Sequence, residues 1–239
     1  MKTTTRTLFL ASLLGLTVAA NGATSFTENF SDNSAGPNMV LGLNPTNATT
    51  SFASSNFTIT TGSGPRIFLG TNDTNYNTVN FTFEADVTIP NITDAGSIAF
   101  LGMGNTTPVP TYYEPVGGSN IISTLRNNEN QLQSRDNGAF ATHGTVVLTA
   151  GSTHGMRMEW NATSMLATFM FDLGNDGTYD TASTYTLNGS NNGFTASNSQ
   201  LFVGGGNGLI FDNIVVSVPE PSAALLGGLG LALMRRRRI

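Results

Sequence analysis

The chain has no cysteine, which excludes disulfides, thiolate zinc ligation and a cysteine nucleophile together. Lysine is almost missing too: Lys2 is the only one, and the other nine basic residues are arginines. Charged residues make up 10% of the 239 positions, against about 25% in an average soluble protein. Four of the arginines stand together near the C-terminus, so residues 24–218 hold four arginines against fourteen carboxylates, a net −10. A body of that sign repels phosphate and offers no basic stripe to neutralise it, which excludes nucleic acid as a partner. Histidine occurs twice, at His143 and His154, both in Gly/Thr-rich segments that read as turns. With no G-x-S-x-G elbow and no zinc-ligand spacing, neither histidine points to catalysis or metal binding.

What the chain does have in quantity is Asn, Thr, Ser and Gly, together with 39% apolar residues. That polar set favours turns and strand faces over exposed helices. Between residues 24 and 217 no helical repeat is sustained, whereas two-residue alternation recurs. In 79–89 every odd position is apolar and every even one polar, which puts one face in a core and the other towards solvent. Residues 156–160 repeat the pattern with Met156, Met158 and Trp160 facing inward. Further strands are expected at 56–61, 97–103, 120–126, 145–149, 166–173 and 209–218. Turn chemistry at Asn137-Gly138, Asn175-Asp176-Gly177, Asn188-Gly189 and Asn207-Gly208 separates them. One all-β domain over 24–217 follows, as a two-sheet antiparallel sandwich or a barrel.

The two ends read differently. Lys2 and Arg6 precede an apolar stretch from Leu8 to Ala20 and a small-residue exit, the pattern of a secretory signal peptide over 1–23. The other end, 218–239, carries Pro219, Glu220 and Pro221, then an uncharged stretch over 222–234, then Arg235, Arg236, Arg237 and Arg238. The prolines stop any regular element. The apolar stretch makes a short hydrophobic helix of about 20 Å, less than the about 30 Å hydrocarbon thickness. The arginines prefer the cytoplasmic side, so the body lies outside.

This tail resembles the PEP-CTERM sorting signal of Gram-negative bacteria. The resemblance implies an exosortase-type membrane protease as partner, transient anchoring in the membrane by the C-terminal segment, and delivery to the cell surface or extracellular matrix. The body in turn looks like a concanavalin A-like (laminin-G-like) jelly roll. The similarity lies in its opening residues 25–31, the strand 81–89, the run 156–172 and the closing Phe211-Asp212-Asn213-Ile214. That resemblance implies first and last strands that pair. An immunoglobulin-like or other jelly-roll sandwich is the alternative.

Three candidate sites follow from the residues. Glu84 and Asp86 lie two apart on one strand face, the arrangement from which a glycoside hydrolase could draw paired carboxylates. The same spacing also describes a solvated strand face, and the further glutamate of the acidic strand in jelly-roll glucanases is missing, with Ile89 at the end of the run. Asp172, Asn175, Asp176 and Asp180 surround Gly177 as oxygen ligands would surround calcium, or as a polar hairpin tip would be built. The run departs from the twelve-residue calcium-loop pattern at Gly174 and Ser183. Tyr112 and Tyr113, between prolines, could offer aromatic faces to a sugar or cover a sheet edge. The functional expectation is a non-catalytic polysaccharide-binding or structural module of the extracellular matrix, with a carbohydrate-active enzyme on the same jelly roll as alternative.

Overall fold

The computed structural model describes residues 23–42, 48–61, 67–91, 98–104, 120–126, 129–137, 139–206 and 208–219. The signal-peptide stretch before Ala23, the sorting-tail residues Glu220, Pro221 and Arg235 to Arg238, and the pair Tyr112 and Tyr113 lie outside these. Among the described residues no helix is long and apolar enough to cross a membrane.

Fifteen strands and no α-helix form among the described residues. In chain order they are β1 (Phe26–Glu28), β2 (Met39–Gly42), β3 (Ala48–Ser51), β4 (Phe57–Thr61), β5 (Ile67–Thr71), β6 (Phe81–Thr88), β7 (Ile98–Gly104) and β8 (Asn120–Arg126). They continue as β9 (Gln131–Asp136), β10 (Ala139–Thr145), β11 (Thr153–Asn161), β12 (Leu166–Asp172), β13 (Tyr185–Asn188), β14 (Gln200–Gly205) and β15 (Ile210–Ser217). All strand pairs named here are antiparallel. One sheet has eight strands, ordered β13-β12-β11-β6-β15-β4-β3 with β1 also on β15; the other has seven, ordered β10-β9-β8-β7-β14-β5-β2. The expected pairing of the ends is present, with Phe26 opposite Val216.

The sheets bury their facing sides against each other. Phe57, Phe83, Phe169, Phe171 and Phe211 of the eight-stranded sheet meet Leu69, Leu101, Ile121, Leu125 and Val203 of the seven-stranded one in a single cluster. β6 shows the alternation at its clearest: Phe81, Phe83, Ala85 and Val87 are buried, and Thr82, Glu84, Asp86 and Thr88 are half-exposed. The outer face of the eight-stranded sheet is therefore polar, with side chains that water reaches.

The inner strands of the seven-stranded sheet, β5, β7, β8 and β14, are buried on both sides. On the side turned away from the core, Phe68, Ile98, Phe100, Ile122 and Phe202 form a cluster of their own. Its rings alternate with glycines across the strands. Phe202 stands between Gly70 and Gly102, and Gly204 stands between Phe68 and Phe100. The Phe68 ring lies 5.5 Å from Phe202, edge to face, and 5.7 Å from Phe100. Glycine leaves the space over its own backbone that the neighbouring ring fills.

Two sequence expectations are corrected here. Residues 145–149 are not a strand: β10 ends at Thr145, and Val146 and Leu148 turn inward from extended backbone outside the ladders. The turn expected at Asn188-Gly189 is present as a 3-10 turn over Gly189–Asn191, where the Asn188 side chain accepts from the Ser190 amide. Both histidines sit on strands, His143 in β10 and His154 in β11.

Candidate functional site

The outer face of the eight-stranded sheet holds a polar concavity of about 390 Å³, lined by Asn56, Asp86, Thr88, Thr153, Asn175, Ile210, Asp212 and Asn213. Strand geometry builds its floor. Asp86 of β6 faces Asp212 of β15 directly in register, and Thr88 faces Ile210 on one side and Thr153 on the other. Immediately after Asp212 the register shifts, with Asn213 in the left-handed region at φ 47°. A bulge of this kind re-aims side chains, and here it lets one residue hold both acids. The Asn213 backbone N–H donates to Asp212 Oδ1 at 2.7 Å, and its side-chain Nδ2 donates to Asp86 Oδ2 at 2.9 Å. The hydroxyls of Thr88 and Thr153 bond each other at 2.7 Å. Burial raises the Asp212 carboxyl above its ordinary value; the Asn213 amide opposes this and the Asp86 charge adds to it.

Asp86 thus belongs to the pocket, while Glu84 does not. Glu84 points to the same face but is clamped by Arg157, whose Nη1 lies 2.9 Å from its Oε1, while Nη2 holds Glu159 at 2.6 Å. The Tyr179 ring caps this group, 5.4 Å from the guanidinium carbon. Burial, chiefly, and the Glu84 charge push the Tyr179 hydroxyl up to about 12, with Arg157 opposing. The pair proposed from spacing is therefore divided, one carboxylate neutralised by an arginine and the other turned to an asparagine and a second aspartate. Glycoside hydrolysis needs two carboxylates on opposite sides of one bond, and Glu84 and Asp86 do not stand so.

The run after β12 is a polar hairpin tip. Asp172 is buried, and its Oδ1 and Oδ2 accept the amides of Asp176 at 3.1 Å and Gly177 at 2.7 Å. Asp180 Oδ2 accepts the Leu173 amide at 3.0 Å, and Asp176 Oδ1 accepts that of Thr178 at 2.9 Å. Asn175 and Gly177 both take positive φ, as the turn requires. These donors do not fit a calcium ion as they stand. The carboxylates cap the loop's own amides, and among the described residues no three acidic or histidine side chains gather around a common point. Asn175 instead reaches the pocket beside Asp86, so the structure moves one residue of the calcium set into a different site.

Asp212, Asn213, Asn56, Thr88, Thr153 and Tyr179 were not singled out as site residues by the sequence. The usable signal was the closing Asp212-Asn213 pair: once the last strand is placed beside β6, its acid falls opposite Asp86.

The histidines have structural roles. His143 stacks on Tyr185 with centroids 3.7 Å apart, and its Nε2 is 2.6 Å from the Ser134 hydroxyl. His154 is buried, its Nδ1 bonded to the Leu173 carbonyl, and its Nε2 is buried with no partner. Burial lowers both pKa values; for His154 the Leu173 carbonyl and Asp172 oppose it. A group whose folded pKa lies below its unfolded 6.5 contributes full stability above that value and loses it as pH falls towards the folded pKa. The urea midpoint is therefore expected to drop between about pH 7 and pH 5, and His154→Gln to flatten that slope. An unchanged slope in the variant would remove His154 from the account.

No family model matches the chain, and no curated protein matches it in sequence. Solved structures do match. Lectin II from Ulex europaeus superposes with a TM-score of 0.59 at 11% identity, over 82% of this chain and 98% of the lectin. The acidic lectin of winged bean, complexed with methyl-α-D-galactose, gives 0.58 at 9%, over 82% and 99%. Arcelin-5, a lectin-like defence protein from Phaseolus vulgaris, gives 0.56 at 8%, over 82% and 98%. The chain is an all-β protein with the jelly-roll sandwich fold of these lectins. At such identities the likeness is one of fold.

Proposed function

We propose that this chain is a non-catalytic carbohydrate-binding module, exported and held at the cell surface or in the extracellular matrix. The observation that carries the binding reading is the pocket around Asp86 and Asp212, on a sandwich of lectin architecture. Its lining of amides, carboxylates and hydroxyls is the set that hydrogen-bonds sugar hydroxyls, with Ile210 as an apolar patch beside them. The lectin neighbours, one of them complexed with a galactoside, support the same reading. Export rests on the signal-peptide pattern and on the PEP-CTERM-like tail, whose processing partner would be an exosortase-type protease.

The test is retention of the full-length chain on a panel of immobilised polysaccharides, run with calcium and with chelator. Retention without release of reducing ends, weakened by Asp86→Asn and by Asn213→Ala, is the expected result. Because the Asp172 loop caps itself, chelator is expected to leave retention unchanged. Reducing-end release that Glu84→Gln abolishes would establish the enzymatic alternative. No retention on any polymer would leave a purely structural surface protein.

A further inference from the structure

The pocket is not the only concavity on its face. A second one, of about 570 Å³, opens at the other end of the same strands, lined among others by Asn80, Thr82, Glu159, Asn161, Leu166 and Ser217. Register places the two on one surface. Thr82 faces Glu159 of β11 and Ser217 of β15, just as Asp86 faces Asp212 of β15. From Thr82 to Thr88 every second residue of β6 turns outward, so at about 3.4 Å per residue the two hollows together take in about 20 Å of strand, with about 14 Å between Thr82 and Asp86 at their facing edges. Between them lie Glu84 and Arg157 with the half-buried Tyr179 ring beside the guanidinium, and Arg157 also reaches Glu159 at the rim of the second hollow.

Resting on the carbohydrate reading above, we propose that the ligand is a polysaccharide engaged along its length, lying parallel to β6 and β11 across this face with a subsite in each hollow. The chemistry of the two ends is similar and that of the middle is different. Each hollow presents carboxylate, amide and hydroxyl groups beside an aliphatic side chain, Ile210 in one and the exposed Leu166 in the other. At the midpoint Glu84 is paired to Arg157, and the Tyr179 ring offers a surface for the C–H face of a sugar rather than for its hydroxyls. A monosaccharide would use one hollow and leave the rest of the face idle. A chain long enough to reach both gains from linkage, since the second contact becomes intramolecular and raises affinity by about 10²–10⁴ without any new kind of bond. Such a site takes internal segments of a polymer and does not require a chain end.

The experiment measures binding of the full-length chain to labelled ladders of mono- to octasaccharides prepared from β-glucan, galactan and chitosan. Affinity for the ladder that binds is expected to rise about 100-fold or more between the monosaccharide and the hexasaccharide, and then to level off. Asn213→Ala at one end and Asn161→Ala at the other are each expected to cost the hexasaccharide about tenfold. Asn161 Oδ1 also accepts the Thr163 and Ser164 amides, and Asn213 holds a left-handed bulge, so each variant is compared well below its own melting temperature, where circular dichroism shows it folded. Equal affinity for short and long sugars, or sensitivity at one end only, would overturn the extended site while leaving carbohydrate binding intact. Failure of every ladder, on a chain that also ignores the intact polymers, would bring down both.

Discussion

Trp160→Ala is expected to destabilise the fold by about 3–5 kcal/mol. At about 2–4 °C per kcal/mol for a domain of this size, the melting temperature falls by roughly 10 °C. The indole is 2% exposed, meets Phe194 edge to face at 5.7 Å, and donates its N–H to the Asn77 carbonyl at 3.3 Å. Gly189 lies directly beneath it: a methyl there would stand 2.9 Å from two ring carbons. With the 3-10 turn held that close, the site has little means of collapsing on the cavity. Far-UV circular dichroism is the right monitor, since Trp160 is the only tryptophan and the variant loses its fluorescence. A melting temperature within a few degrees of wild type would show that the indole is not part of the stabilising core.

Gly204→Val is expected to reach or exceed the upper end of the about 1–3 kcal/mol typical of overpacking. Even the first carbon of a side chain at Gly204 would meet the Ile67 carbonyl oxygen and come within 2.7 Å of the Phe68 ring and 2.9 Å of its Cα. Two of these three atoms are backbone, which cannot swing aside. Gly144→Ala serves as control, because a methyl there meets nothing within 4 Å. Comparable denaturation midpoints for the two variants would contradict the account of ring-over-glycine packing in the seven-stranded sheet.

The sequence displayed the eight-stranded sheet better than the seven-stranded one, and the reason is solvation. β6 and β11 each keep a wet face, so their residues alternate and can be read. β7, β8 and β14 are buried almost throughout; they read only as apolar runs, and β14, with its two glycines, did not read as a strand. β10 gave the opposite difficulty. Ala139 to Thr145 is largely exposed and carries no apolar period, whereas the inward Val146 and Leu148 just after it imitate one.

The site divided along similar lines. Asp86 could be found because its own strand declares which way it points. Its partner Asp212 lies far along the chain, and nothing local states that the two strands are neighbours or that a bulge at Asn213 will tie the acids together. The acidic run from Asp172 to Asp180 was conspicuous, but composition cannot tell carboxylates that wait for an ion from carboxylates that hold their own loop. Hydrogen bonds to the Asp176, Gly177 and Leu173 amides make that distinction.

The position of β15 has a consequence in time. Among the described residues it is the last strand in chain order, yet it sits inside its sheet, with β6 along one edge and β1 and β4 sharing the other. Until Ile210 to Ser217 have been synthesised, β1 has no partner and β6 keeps an open edge, so half of the sandwich cannot close. Contacts this distant along a chain also place a protein among the slow folders, in the millisecond-to-second range. The eight-stranded sheet of a newly made copy therefore closes only once nearly the whole chain has been translated.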